Sequence, residues 1–164
     1  MEVLKLYIHV NGCEKVESEC ATVQMISFDG RCDGDYFRGE ILPGGVDTQI
    51  YYKDQPSKLS ARYLVQGIDH TGRGCRIFIE NNGIMYAGET ITRPVIYTDS
   101  IALKWMETAS LYGTLTVVEG QPVITIYTDK NENNGKGKKG AEYEIYHRTE
   151  CVFRGFEDCR KSCT

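Results

Sequence analysis

The chain has 164 residues, with 19 Lys and Arg against 23 Asp and Glu for a formal charge of −4. That balance disfavours nucleic acid as a partner, since binding a phosphate backbone rests on a basic surface. Seventeen Gly and 11 Tyr beside only four Pro suit an all-β protein with many tight turns, and no apolar run approaches the ~18 residues of a membrane helix.

Val3 to Val10, VLKLYIHV, sets Leu4, Leu6, Ile8 and Val10 against Lys5, Tyr7 and His9. This is the period-two pattern of a strand with one aliphatic face. Glu2 and Lys5 interrupt it as a leader peptide, so it reads as an early strand and the cytoplasm as the compartment. Asn11-Gly12 is expected to close it, and the alternation resumes from Ala21 to Gly30. A turn at Arg31 to Gly34 leads into DYFRGEIL, where Gly39 marks a bulge or a close passage of two backbones. Pro43-Gly44-Gly45 reads as a turn in which glycine supplies positive φ, and VDTQIYYKD follows as a strand.

After Gln55-Pro56-Ser57 come a strand from Leu59 to Gln66, a hairpin loop over Asp69 to Gly72, and the strand CRIFIEN. Tyr86 to Pro94 reads as irregular. Thr98-Asp99-Ser100 is placed to cap a short helix through Met106, with Ile101 and Trp105 on one face. Ala109 to Glu119 and Pro122 to Thr128 form a hairpin about Gly120-Gln121. Residues 130–140 hold no apolar side chain and read as a mobile loop. AEYEIYHRT and ECVFRGF complete the strands, and 157–164 is a polar tail.

Strands spaced in this way, with no long amphipathic helix between any two, point to an antiparallel sandwich or barrel. The expected fold is therefore all-β: a single antiparallel β-barrel domain over 1–164, with about eight main strands and at most one or two short helical turns. Closure is favoured because it removes aggregation-prone edges. LPGGVD, LSARY and IFIENNG, in that order, resemble the hallmark segments of a bacterial family called domain of unknown function 3237. The similarity spans Leu4 to about Asp129. It implies an antiparallel β-barrel and brings no established activity. The family's Asp of PGGxD is usually followed by Trp; here Thr48 stands there, so any role of that aromatic is absent.

Candidate chemistry centres on Asp47, Arg62 and Glu80. On its strand Arg62 shares a face with Leu64 and Gln66, while Ala61, Tyr63 and Val65 face the other way. If Arg62 points inward it needs a carboxylate partner, because an unpaired buried charge costs several kcal/mol. It would then anchor an acidic or carbonyl-bearing small molecule through its planar fork of donors. An ion pair that pins strand register, or an outward-facing Arg, is the competing reading. Tyr112 and Trp105 belong to an aromatic set suited either to a small-molecule cavity or to ordinary strand packing.

Seven Cys, an odd number without a leader peptide, argue against an extracellular disulfide framework. His147, Cys151, Cys159 and Cys163 have the donor types of a zinc site, but the first half of the set lacks a close Cys pair. No metal and no cofactor is expected, because no nucleotide or phosphate-loop motif occurs. The leading expectation is a small-molecule-binding barrel with a polar anchor near Arg62, forming a homodimer on the prevalence of two-fold assemblies. The alternatives are an enzyme of cyclase, isomerase or hydrolase type using Glu80, Asp47 and Tyr112, and a structural or assembly protein whose barrel is filled by its own side chains and whose function lies on its surface. A cavity above ~300 Å³ with Arg62 inside would favour binding or catalysis over the filled barrel.

Overall fold

The computed structural model describes residues 1–86 and 89–129. Among them run β1 (Glu2–Glu17), β2 (Ala21–Asp33), β3 (Phe37–Tyr52), β4 (Ser57–Asp69), β5 (Gly74–Tyr86), β6 (Glu89–Thr98), β7 (Leu111–Val118) and β8 (Gln121–Thr128). A 3-10 helix, Ile101–Glu107, lies between β6 and β7. Each strand pairs antiparallel with the next, and β8 returns to β1, so the sheet closes into an eight-stranded barrel. The all-β antiparallel barrel expected from the alternating pattern is what forms. Residues 130–164, with the expected loop, the last strand segments and the polar tail, lie outside the described residues.

Several boundaries differ from the sequence reading, each for a local reason. β1 does not stop at Asn11-Gly12; a register shift between Val10 and Gly12 carries the strand on to Glu17. Pro43-Gly44-Gly45 is likewise not a turn between strands. It lies within β3, where the register against β4 shifts between Ile41 and Val46 and Gly44 takes a φ of 106°. A bulge of this kind bends a strand without ending it. Of the segment read as irregular, Tyr86 ends β5 and Glu89 to Pro94 belong to β6. Pro94 lies beyond the two register pairs that join β6 to β7, so its missing N–H costs that ladder nothing.

The short helix is present, but its faces differ from expectation. Leu103 and Met106 are buried, whereas Ile101 is 81% exposed. A three-residue turn brings i and i+3 onto one side, which groups Leu103 with Met106. The Ser100 side chain caps nothing; its hydroxyl donates to Asp69 Oδ2 at 2.6 Å. Asp69 Oδ1 accepts the Thr71 N–H (2.9 Å), the Thr71 hydroxyl and the Arg73 N–H (3.2 Å). These donors, the Ser100 hydroxyl foremost, hold the buried Asp69 carboxyl far below its ordinary value. One carboxylate thus ties the β4–β5 hairpin to the helix and closes that end of the barrel.

The middle of the barrel is solid. Leu4, Leu6, Val65, Ile77, Ile79 and Ile126 are all fully buried in one cluster. Each such side chain contributes about 1.5–3 kcal/mol. The end opposite the helix is hollow.

Candidate functional site

Across the hollow end, Asp47 on β3 stands opposite Ala61 on β4, and Ala61 stands opposite Asn81 on β5. With neighbouring strands about 4.8 Å apart, the Asp and Asn are separated by one small side chain that leaves room between them. Gly113 on β7 opens the other side. A Cβ there would lie 2.3 Å from Thr92 Oγ1 and 3.7 Å from Asn81 Nδ2, so the absent side chain lets Thr92 and Asn81 share that corner. The result is a cup of about 150 Å³, walled by apolar residues including Ile8, Ile26, Phe28, Leu59 and Leu115, with Asp47, Gln49, Asn81, Thr90, Thr92 and Thr114 as polar contributors. Among the described residues that line it, Asp47 is the one ionisable group, and no Lys, Arg or His takes part.

Four buried side-chain atoms here have no hydrogen-bond partner among the described residues: Asp47 Oδ1, Asn81 Oδ1, Thr92 Oγ1 and the Tyr63 hydroxyl. Asn81 and Thr92 are 3% and 7% exposed. Tyr63 sits one alternation deeper on β4 than Ala61, edge-on to the cup-lining Phe28 at 5.4 Å. Leaving a buried polar group unpaired costs about 1–3 kcal/mol. Three of the four line the cup and the Tyr63 hydroxyl lies below it; buried polar atoms without partners are uncommon in folded proteins.

Asp47 is held by its own strand. Gln49 Nε2 donates to Asp47 Oδ2 at 2.6 Å, and the Tyr51 hydroxyl donates to Gln49 Oε1. Alternation puts all three on the inner side of β3. Burial pushes the Asp47 carboxyl up from its ordinary value, against the Gln49 amide and the Ser60 N–H, which favour the ionised form. Burial also raises the Tyr63 phenol, with the Cys32 and Asp47 charges adding to it. Tyr63 is therefore a neutral hydroxyl.

The expected anchor is elsewhere. Ala61, Tyr63 and Val65 are the buried face of β4, so Arg62 points outward. Its guanidinium pairs with Glu80 on the outer surface, Nε to Oε2 at 3.2 Å, with side chains 55% and 31% exposed. Glu80 is held below its ordinary value by the Asn82 amide first and Arg62 second. Of Asp47, Arg62 and Glu80, only Asp47 reaches the cup. Tyr112 faces outward and stacks on Tyr127 at 5.3 Å. Trp105 belongs to the closed end, edge-on to Tyr36 at 5.2 Å. Neither lines the cup.

Asn81 and Thr92 are site residues the sequence reading passed over. The signal for Asn81 was its place in the row Ile77, Ile79, Asn81, a polar residue continuing an apolar face. His147, Cys151, Cys159 and Cys163 lie outside the described residues. Within the described residues, no three His, Cys, Asp or Glu gather as metal ligands, and no helix is long and apolar enough to cross a membrane. Cys13 and Cys20 are exposed thiols, Cys32 and Cys75 buried ones. Burial pushes Cys32 up to about 12, so it is an inert core residue.

An eight-stranded antiparallel meander closed at one end by a helical turn and hollow at the other defines the class: a small cup-bearing β-barrel. The chain belongs to the family described as protein of unknown function (DUF3237), whose profile matches residues 3–95. That segment takes in LPGGVD, LSARY and IFIENNG and stops short of Asp129. Over 95 residues the chain is 37% identical to a UPF0311 protein of Clostridium acetobutylicum, covering 47% of this chain and 58% of that one. The chain thus spans just over half the length of that curated relative.

Solved structures share the architecture. A Clostridium acetobutylicum protein of unknown function is 27% identical, with a TM-score of 0.68 over 78% of this chain and 96% of that one. A β-barrel-like protein of Acinetobacter baumannii is 17% identical, with a TM-score of 0.63 over 77% of this chain and 92% of that one. An enzyme from Penicillium herquei is 15% identical, with a TM-score of 0.61 over 77% and 92%.

Proposed function

We propose that this barrel binds a small molecule in the cup at its hollow end, and that the molecule is neutral or cationic, with an apolar body about the size of a benzene ring. The observation that carries this reading is the set of three unpartnered buried polar atoms, on Asp47, Asn81 and Thr92, that line one largely apolar hollow. The volume bounds the ligand. About 150 Å³ falls below the ~300 Å³ at which pockets for drug-sized ligands begin, but an apolar cavity of ~150 Å³ is enough for benzene. The charge bounds it too. With Asp47 as the one ionisable lining group, a carboxylate or phosphate ligand would meet repulsion and no cation. Of the acidic or carbonyl-bearing ligand expected around an interior Arg62, this reading keeps the carbonyl-bearing class and drops the acidic one.

The fold is compatible with chemistry as well as binding, since the Penicillium herquei barrel of like architecture is an enzyme. The binding reading is tested by saturation-transfer NMR with three probes of one shape: cyclohexanone, cyclohexylamine and cyclohexanecarboxylate. The ketone and the amine are expected to show saturable binding and the carboxylate none. Ala61→Phe, which fills the gap between Asp47 and Asn81, and Leu115→Trp at the wall should each abolish the signal. Equal binding of the carboxylate, or binding that survives both blocking variants, sinks the reading.

A further inference from the structure

Resting on that reading of the cup, we infer that Asp47 is a proton-exchange group and that the barrel isomerises a small, neutral, enolisable carbonyl compound. The geometry distinguishes the two oxygens of the carboxyl. Oδ2 is occupied, because it accepts the Gln49 N–H at 2.6 Å while Gln49 is itself oriented by the Tyr51 hydroxyl. Oδ1 has no partner. A proton taken up by Asp47 therefore sits on Oδ1, and the Gln49–Tyr51 chain keeps that assignment fixed. Gln49 and Tyr51 are positioning residues; Asp47 is the group that meets the substrate.

One of the remaining unpartnered atoms supplies what a carbonyl needs. The Thr92 hydroxyl lines the cup and is free to donate, while Asn81 Oδ1 can only accept. A carbonyl oxygen accepting from Thr92 is polarised, which acidifies its α-carbon. Ionised Asp47 then takes an α-proton: a C–H bond breaks as an O–H bond forms on Oδ1. The C–H electron pair becomes the C=C bond of an enol-like intermediate, and the carbonyl π pair moves onto the oxygen held by the Thr92 hydroxyl. Return of the same proton to another carbon of that system, or to the same one, regenerates ionised Asp47. Nothing is oxidised or reduced, and no co-reactant is consumed. A carboxyl lifted by burial is better matched to such a transfer than one at its ordinary value.

The probe is cyclohexanone, and the readout is exchange of its α-hydrogens for deuterium in D2O, followed by proton NMR beside the saturation-transfer signal for binding. The wild type is expected to speed exchange at least ~10²-fold over acetate at equal concentration. Asp47→Asn should keep the binding signal and lose the exchange. Gln49→Leu should keep binding and move the midpoint of the exchange–pH profile upward, because the N–H that favours the ionised carboxylate is gone; a merely structural role would leave the midpoint in place. Binding without exchange in the wild type, or exchange that persists in Asp47→Asn, overturns the inference and leaves the cup standing. Failure of cyclohexanone to bind takes down the cup reading and this inference with it.

Discussion

The Arg62–Glu80 pair illustrates how exposure decides the worth of a contact. Its geometry is good, with two nitrogens of the guanidinium reaching both carboxylate oxygens at 3.2 and 3.4 Å. Yet the Arg side chain is 55% exposed, so water screens the attraction and side-chain entropy opposes it. Arg62→Ala is expected to lower stability by about 0.5 kcal/mol or less, read as the shift in urea midpoint. An interior pair would lose about 3–5 kcal/mol on the same change, because a buried Glu would be left alone. A loss of that size would contradict an outward Arg62. At this scale the sequence was half legible. Alternation separated Arg62 from Ala61, Tyr63 and Val65, but Leu64 on the Arg face and Ala61 on the other left both mixed, and which one turned inward depended on strands far away in the chain. Asp47 could be named as a candidate; its lack of a cationic neighbour could not.

At the scale of elements, glycine governs where strands may touch. Gly39 on β3 and Gly67 on β4 stand opposite each other. A Cβ on Gly67 would come within 2.0 Å of the Arg38 carbonyl oxygen, and one on Gly39 within 2.3 Å of the Gln66 carbonyl oxygen. Both obstacles are backbone, which cannot rotate away as a side-chain tip can. Gly67→Ala is therefore expected to cost about 2 kcal/mol or more, as overpacking against a fixed wall does. Gly74→Ala is the control: its Cβ would meet only the Gly67 carbonyl oxygen, at 4.0 Å, and should fall within about 0.5 kcal/mol of wild type. Equal effects in urea unfolding would refute the close-passage account. The close passage at Gly39 was legible, because a lone Gly inside an alternating strand has few other reasons to be there. Pro43-Gly44-Gly45 was not, since a bulge and a turn ask for the same residues and only the register against β4 tells them apart.

For the whole molecule, two inward carboxyls with opposite shifts give the barrel a pH profile. Asp69, whose carboxyl is held down by the Ser100, Thr71 and Arg73 donors, contributes stability that is present above its unfolded value near 3.9 and lost as pH falls towards its folded value. Asp47, raised by burial, runs the other way. The folded chain keeps that proton to higher pH than the unfolded one, so stability falls as pH rises from about 4 through the folded value and then levels. The closed end thus resists acid poorly and the hollow end carries a penalty at neutral pH. Asp47→Asn keeps an acceptor for the Gln49 amide and removes the penalty. It is expected to raise the melting temperature at pH 8 by about 2–4 °C, on the order of 1 kcal/mol for a chain of this size, and to change it little at pH 4. Asp69→Asn should leave the slope between pH 5 and 8 alone and flatten the fall below pH 4. Calorimetric scans of the two variants across pH 3 to 8 check both limbs. If Asp47→Asn is no more stabilising at pH 8 than at pH 4, Asp47 is not desolvated in the fold, and a cup that holds an ionised carboxyl without strain has no need to exchange a proton with its ligand.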